Sequence, residues 1–312
     1  MKNNFYITTP IYYVNDIPHI GHAYTTILAD VIARYQRSLD KNVFFLTGLD
    51  EHGQKVQDAA NSNKTDPLSH CNNMSKRFTD LWTKLHISNN DFIRTTQKRH
   101  IKVVQNILNE VMKNGDIYED EYEGLYSVSE ERFITEKEAD TGDFHDIKKL
   151  KEKNYFFKMS KYQKNLIEHI NSNPHFIMPS HRKNEIIGFL NNPLNDLCIS
   201  RPKSRLSWGI ELPFDSNYVT YVWFDALINY ITAPGYLENK NNFEKLWPAN
   251  IHLIGKDILT THAVYWPTML LSAGIALPKT IFAHGWWLTG DDKMSKSKGN
   301  VINPMDLIDV YG

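Results

Sequence analysis

Apolar positions along this chain repeat at two different periods, and the change between them marks its elements. Residues 43–49 (VFFLTGL) form a continuous apolar run of strand length, bounded by Lys41 and Asn42 before it and Asp50 after it. Upstream, Ala23, Ile27, Ala29, Val31, Ile32 and Tyr35 keep a helical spacing from Gly21 to about residue 39. Before that helix, residues 5–9 are a short β-rich run broken by Pro10, followed by a loop containing Asn15, Asp16 and Pro18. Strand, loop, helix and strand in this order make a βαβ unit, so the pattern predicts an α/β fold with a parallel sheet. Ligand sites in such sheets lie at the carboxyl ends of the strands, where residues 10–22 and 50–53 both fall.

Helical spacing continues over residues 67–85 and 99–113. Near residue 115 the character changes. Asp116, Glu119, Asp120, Glu121 and Glu123 form an acidic cluster, residues 122–133 alternate like short strands, and a lysine-rich stretch runs from Lys148 to Lys164. Residues 115–180 therefore read as an insertion between two halves of the sheet domain, 1–114 and 181–312. Its charge runs are taken as solvated faces, with the lysines as the alternative contact for nucleic-acid phosphates. In the second half, residues 251–254 (IHLI) and 279–284 are strand candidates on either side of a helix over 257–273, so the α/β pattern resumes. No internal repeat or low-complexity tract interrupts it.

Composition narrows the picture. The 312 residues are 41% hydrophobic and 23% charged, enough to bury a core without covalent staples. A formal net charge of −1 gives no global attraction to nucleic acid or to an anionic membrane. Cys71 and Cys198 carry no CxxC spacing, which suits a reducing compartment and leaves no thiolate metal site. There is no signal-peptide core at the start and no apolar run approaching ~18 residues, so the expected location is cytoplasmic, away from membranes.

Two segments carry candidate chemistry. His19-Ile20-Gly21-His22 sits between a strand and a helix, with both imidazoles on the first helical turn beside backbone N–H groups that favour an anion. Gly21 leaves room for a flat ring against the backbone. The same histidines also suit a simpler task, capping the turn. Far along the chain, Lys293-Met294-Ser295-Lys296-Ser297 follows the loop signal Gly290-Asp291-Asp292. Its ammonium groups suit the charge that develops on a transferring phosphoryl group and on departing pyrophosphate, where a solvated loop is the alternative. Two aromatic and apolar faces are also visible: Trp223, Ala226, Leu227 and Tyr230 share one face if their segment is helical, and Ile258, His262 and Trp266 share another. Together they would make a slot for an uncharged, polarizable chain; each alone would serve as core packing.

With HIGH and KMSKS both complete and in order, the chain resembles the class I aminoacyl-tRNA synthetases. Its nearest likeness is to the methionyl-tRNA synthetase family, through TTPIYYVNDIPHIGHAYTT, FLTGLDEHGQK, YVWFDALINYI, IHLIGKDILTTHAVYWPTML and AHGWWLTGDDKMSKSKGNV. The resemblance implies a Rossmann-type catalytic domain split by a connective-peptide insertion. It implies L-methionine, ATP with Mg²⁺, and tRNA(Met) as substrates and cofactors. By the same resemblance His19, Gly21, His22, Gly255, Asp257, His284, Gly285, Lys293 and Lys296 would bind ATP, with His19, His22, Lys293 and Lys296 catalytic. Ile11, Tyr13, Asp50, Trp223, Ala226, Leu227, Tyr230, Ile258, His262 and Trp266 would hold methionine, with Asp50 on its ammonium group. A carboxylate capping the following helix is the other reading of Asp50. Relatives with zinc carry cysteines in the insertion; the stretch 122–133 has none, so no structural metal is expected. The family continues past KMSKS into an anticodon-binding domain, and this chain stops at Gly312 inside a helix-like segment, so that domain is expected to be absent and tRNA charging weak. A class I synthetase for another aliphatic amino acid, and a catalytically silent tRNA-binding module of the same fold, are the rival readings.

Overall fold

The computed structural model describes residues 3–127, 132–134, 136–140, 146–286, 288–289, 292–293 and 302–311. Its first half builds β1 (Asn4–Tyr13), α1 (Ile20–Ser38), β2 (Asn42–Asp50), α2 (Gln54–Ser62), α3 (Pro67–Lys84), β3 (Asp91–Arg94) and α4 (Lys98–Lys113). α3 and α4 bury one apolar stripe each. In α1 the helix forms where the spacing predicts it, but its buried face is small and polar, with Ala23, Thr26, Ala29, Asp30 and Ala33, while Ile27, Val31 and Tyr35 of the expected apolar set are exposed. Pro10 does not end β1. The strand runs on to Tyr13 through a shift of register against β2 between Thr8 and Ile11, a bulge that accommodates a residue with no N–H to give the ladder.

The insertion folds as an antiparallel layer. β4 (Ile117–Ser127) pairs with β5 (Arg132–Ile134) on one side and with β6 (Ile147–Phe157) on the other. The acidic and basic runs lie opposite each other in this pairing: Lys149 meets Glu123 at 2.9 Å and Lys151 meets Glu121 at 3.3 Å, both pairs exposed. Asp116 behaves differently from the rest of its cluster. It is buried, and accepts hydrogen bonds from Lys161 (2.5 Å), Ser272 (2.8 Å) and Tyr162. Burial alone would raise its pKa, but those three donors outweigh it and hold the carboxyl below its ordinary range.

After β7 (Ile177–Met178), β8 (Leu197–Cys198) closes the antiparallel layer against β6. β9 (Ser200–Pro202), β10 (Glu211–Leu212) and β11 (Asp215–Thr220) form a small separate sheet. Arg201 on β9 stacks on Tyr126 of β4 at 5.4 Å and on Tyr221 at 4.6 Å, joining the insertion to the second half. The chain then returns to the main sheet through β12 (Ile251–Gly255) and β13 (Ile281–His284).

All six strands of the main sheet are parallel, in the order β3-β2-β1-β12-β13-β7. β1 is the hinge of this topology. The chain leaves it to one side for β2, and comes back on its other side with β12, which opens a crevice at the carboxyl ends. The main core packs the first-half residues Tyr6, Leu46 and Ile93 with the second-half residues Phe224, Ile254 and Trp266.

Candidate functional site

A cavity of about 410 Å³ occupies that crevice. Four strand ends open on it: β1 with Ile11 and Tyr13, β2 with Asp50, β12 with Gly255, and β13 with His284. The start of α1 contributes His19, Gly21 and His22.

The two histidines do cap their helix. His19 Nδ1 accepts from the Gly21 N–H at 3.1 Å, and His22 Nδ1 accepts from the His19 N–H at 3.2 Å. A ring nitrogen that accepts carries no proton, so the neutral form of each ring holds its proton on Nε2. The cap thereby fixes Nε2 as the N–H donor of each ring, on two residues that line the cavity. The rings stack with centroids 3.7 Å apart. The flat ring that Gly21 admits is that of His19 itself: a Cβ at Gly21 would meet His19 Cε1 at 2.9 Å. At Gly255 an added Cβ would meet Asp257 Oδ1 at 2.5 Å, so a larger residue there would displace a second cavity-lining carboxylate.

Asp50 ends β2 and is buried. It does not cap α2, whose N-cap position is Gly53, with φ of +110° and no side-chain bond. Lys55, one helical residue further on, also lines the cavity and lies 6.0 Å from the Tyr13 ring.

The apolar slot comes from two helical segments. Trp223, Ala226 and Leu227 on Val222–Leu227, with Tyr230 on Asn229–Thr232, line one side; Ile258 and His262 line the other. Trp266 is the exception. It is fully buried behind the slot, its ring centroid 6.0 Å from that of Tyr230. The helix carrying these residues is not uniformly α. Thr261–Tyr265 winds as a π-turn, a form found mostly at functional sites, with the Trp266 N–H reaching the Thr261 carbonyl.

Hydrogen bonds set the protonation of the slot. His262 Nδ1 lies 2.9 Å from the Ile258 carbonyl and must donate to it, so Nε2 accepts from the Tyr230 hydroxyl at 2.8 Å. Burial drives the His262 pKa down to about 4, against the opposing pull of the Ile258 bond, and the ring is neutral. Burial likewise pushes the Tyr230 phenol up. Behind them His252 accepts from Trp266 Nε1 at 3.3 Å and has Thr8 Oγ1 at 2.8 Å; burial, then neighbouring His262, holds it well below its ordinary pKa. The slot is thus apolar, aromatic and uncharged, while the Asp50 end carries a carboxylate.

The two halves of the chain also meet across the cavity. Thr25 Oγ1 and His284 Nε2 are 2.8 Å apart, and Gly285 and Trp286 extend the wall, with Lys256 Nζ 3.7 Å above the Trp286 ring. Thr25 and Trp286 went unread in the sequence. Thr25 follows His22 by three residues on the same helical face, and Trp286 directly follows Gly285, so both signals were there. The backbone of Lys293 lies in a two-residue strand, Asp292–Lys293; Lys296 lies outside the described residues. Among the described residues no group of three or more His, Cys, Asp or Glu is gathered to hold a metal ion.

Comparison with known proteins decides the family. The model of the family described as "tRNA synthetases class I (M)" matches residues 5–143 and 142–312. The chain belongs to this class I tRNA synthetase family. Within it, the chain is 51% identical to methionine–tRNA ligases of Rickettsia conorii and Fusobacterium nucleatum, over 100% of its own length. It spans 62% and 50% of those two class I proteins. Among solved class I structures, Mycobacterium tuberculosis methionyl-tRNA synthetase in complex with methionyl-adenylate is 42% identical, with a TM-score of 0.95 over 100% of this chain and 62% of that one. The split Rossmann-type α/β fold expected from the sequence is the fold of this family.

Proposed function

We propose that the chain carries the catalytic region of a methionine–tRNA ligase, which activates L-methionine with ATP and passes it to the 3′ end of tRNA(Met). The observation that carries this reading is the polarity of one cavity: a buried carboxylate, an uncharged aromatic slot and a helix start with two imidazole donors converge within it. Asp50 would hold the methionine ammonium. The thioether would lie between Trp223, Ala226, Leu227 and Tyr230 on one side and Ile258 and His262 on the other, with Ile11 and Tyr13 at the strand end. Trp266 would support Tyr230 from behind.

In this reading a methionine carboxylate oxygen attacks the α-phosphorus, the bond to the bridging oxygen breaks, and pyrophosphate departs. His19 and His22 donate from Nε2 to the phosphates, Gly21 keeps the backbone low, and Gly255 with Asp257 takes the ribose side. His284 and Gly285 border the adenine, and Lys293 and Lys296 balance charge on the leaving group. Mg²⁺ would enter with the triphosphate and neutralise it. A terminal hydroxyl of the tRNA then attacks the methionyl carbonyl and AMP leaves. No covalent enzyme intermediate is needed; positioning and charge do the work.

Residues 115–180 would be the connective peptide, except that Ile177–Met178 at its end is already a strand of the main sheet, while 197–198 completes the antiparallel layer. Both cysteines are free thiols, which agrees with a cytoplasmic setting, and no described helix is long and apolar enough to cross a membrane. ATP–pyrophosphate exchange tested across the twenty amino acids decides the matter. Stimulation by methionine alone is expected from residues 1–312, with tRNA charging by the same residues comparatively weak. Stimulation by another aliphatic amino acid, or by none, would replace this reading.

A further inference from the structure

Asp225 sits among cavity residues without lining the cavity. Its neighbours Trp223, Ala226 and Leu227 face the slot, while its own side chain is fully buried and turned to two histidines from the first half of the chain. Oδ2 lies 2.6 Å from His52 Nδ1, and Oδ1 lies 2.7 Å from His100 Nε2. Burial alone would raise the Asp225 pKa, and the two imidazoles reverse that, so the carboxyl is held ionised below its ordinary range. A buried carboxylate with both oxygens engaged is costly to disturb, because moving either partner leaves it unsatisfied.

The partners matter because of where they are anchored. His52 is two residues beyond Asp50. The intervening Glu51 is itself pinned: its N–H bonds Thr95 Oγ1 at 2.9 Å, its carboxylate holds Arg94 at 2.6 Å, and its carbonyl accepts from Trp208 Nε1 at 2.5 Å. The Trp208 ring lies edge-on to His52, with centroids 5.4 Å apart. His100, on α4, has Thr232 Oγ1 3.3 Å from its other nitrogen. One carboxylate therefore ties the Asp50 strand end to the helix that presents the slot.

We propose that Asp225 is a positioning residue that sets the length of side chain the site accepts, by fixing the separation between the ammonium end at Asp50 and the apolar end on Val222–Leu227. This rests on the amino-acid site described above. A pocket distinguishes chains differing by one methylene, worth roughly 10–200-fold, only if its two ends cannot slide relative to each other. Asp225 and His52 hold them.

The test compares kcat/KM in pyrophosphate exchange for methionine, for S-methylcysteine, one methylene shorter, and for the S-ethyl homologue, one carbon longer. Asp225→Ala and His52→Phe are expected to cut the preference for methionine at least tenfold and to raise the methionine KM. The ATP KM should stay within about twofold, a split that simple loss of folded enzyme cannot produce. His52→Asn, which keeps a donor for Asp225, should restore most of the preference. If Asp225→Ala does not fold, the two His52 variants decide. An unchanged preference, or an ATP KM that rises in step with that for methionine, would overturn the proposal. A parent protein without methionine-dependent exchange would instead sink the function assigned to the cavity.

Discussion

His262 shows how far a single residue is governed by its surroundings. Its pKa near 4 in the folded protein lies below the ~6.5 of a free imidazole, so the unfolded chain takes up the proton first as the pH drops. Stability is therefore complete above pH ~6.5 and declines as the pH falls toward 4. At pH 5 the loss is about 2 kcal/mol from this group. His252, also held low, adds to the same slope. Thermal unfolding at pH 7.5 and pH 5 should show the decline, and His262→Gln should make it shallower; parallel slopes in the two proteins would count against a neutral buried ring. The sequence placed His262 on a helical face with Ile258, and both reach the cavity. It gave no hint of Asp225, His52 and His100 together, because the three are joined only by the closing of the sheet, 125 and 173 positions apart in the pairs concerned.

At the level of elements, the long periodic segments were readable and the short or irregular ones were not. β2, α3, α4, β12 and β13 follow from apolar spacing, since each buries one stripe or a whole run; α1 forms where its spacing predicts a helix, yet turns Ile27, Val31 and Tyr35 outward and buries Ala29 and Ala33 instead. β3 has four residues and β7 two, too few for a period to register. The extension of β1 past Pro10 depends on a bulge, and the π-turn at Thr261–Tyr265 departs from the 3.6-residue repeat on which the spacing argument rests. In the insertion, pairing bears on the choice between two readings. The charge runs read as solvated faces, with a phosphate contact for the lysines as the alternative; the lysines lie across from the acidic run, and Lys149 and Lys151 have exposed carboxylate partners. Replacing both by alanine should leave the KM for tRNA, and its dependence on salt, within twofold of the parent, because few counterions would be released from sites already neutralised. A clear drop in salt dependence in an aminoacylation titration would return these lysines to the RNA.

For the whole molecule, the placement of β1 between β2 and β12 has a consequence during synthesis. Pairing with β2 is available once about fifty residues are free of the ribosome, but Ile7 and Thr8 must wait for Ile251 and His252. Until then one flank of the first strand, and Tyr6, which packs on Trp247 and donates to the Tyr230 carbonyl, lack the partners that cover them in the finished fold. The site closes later still, when His284 comes within reach of Thr25. Ribosome-arrested chains ending near residue 246 should consequently be cut by protease in the first half and bind no methionyl-adenylate analogue, whereas chains exposing everything through residue 311 should resist and bind. Protection of the shorter chain would mean that the first half stands alone. If it does not, the cell must shelter an open sheet edge for most of the time this polypeptide takes to emerge.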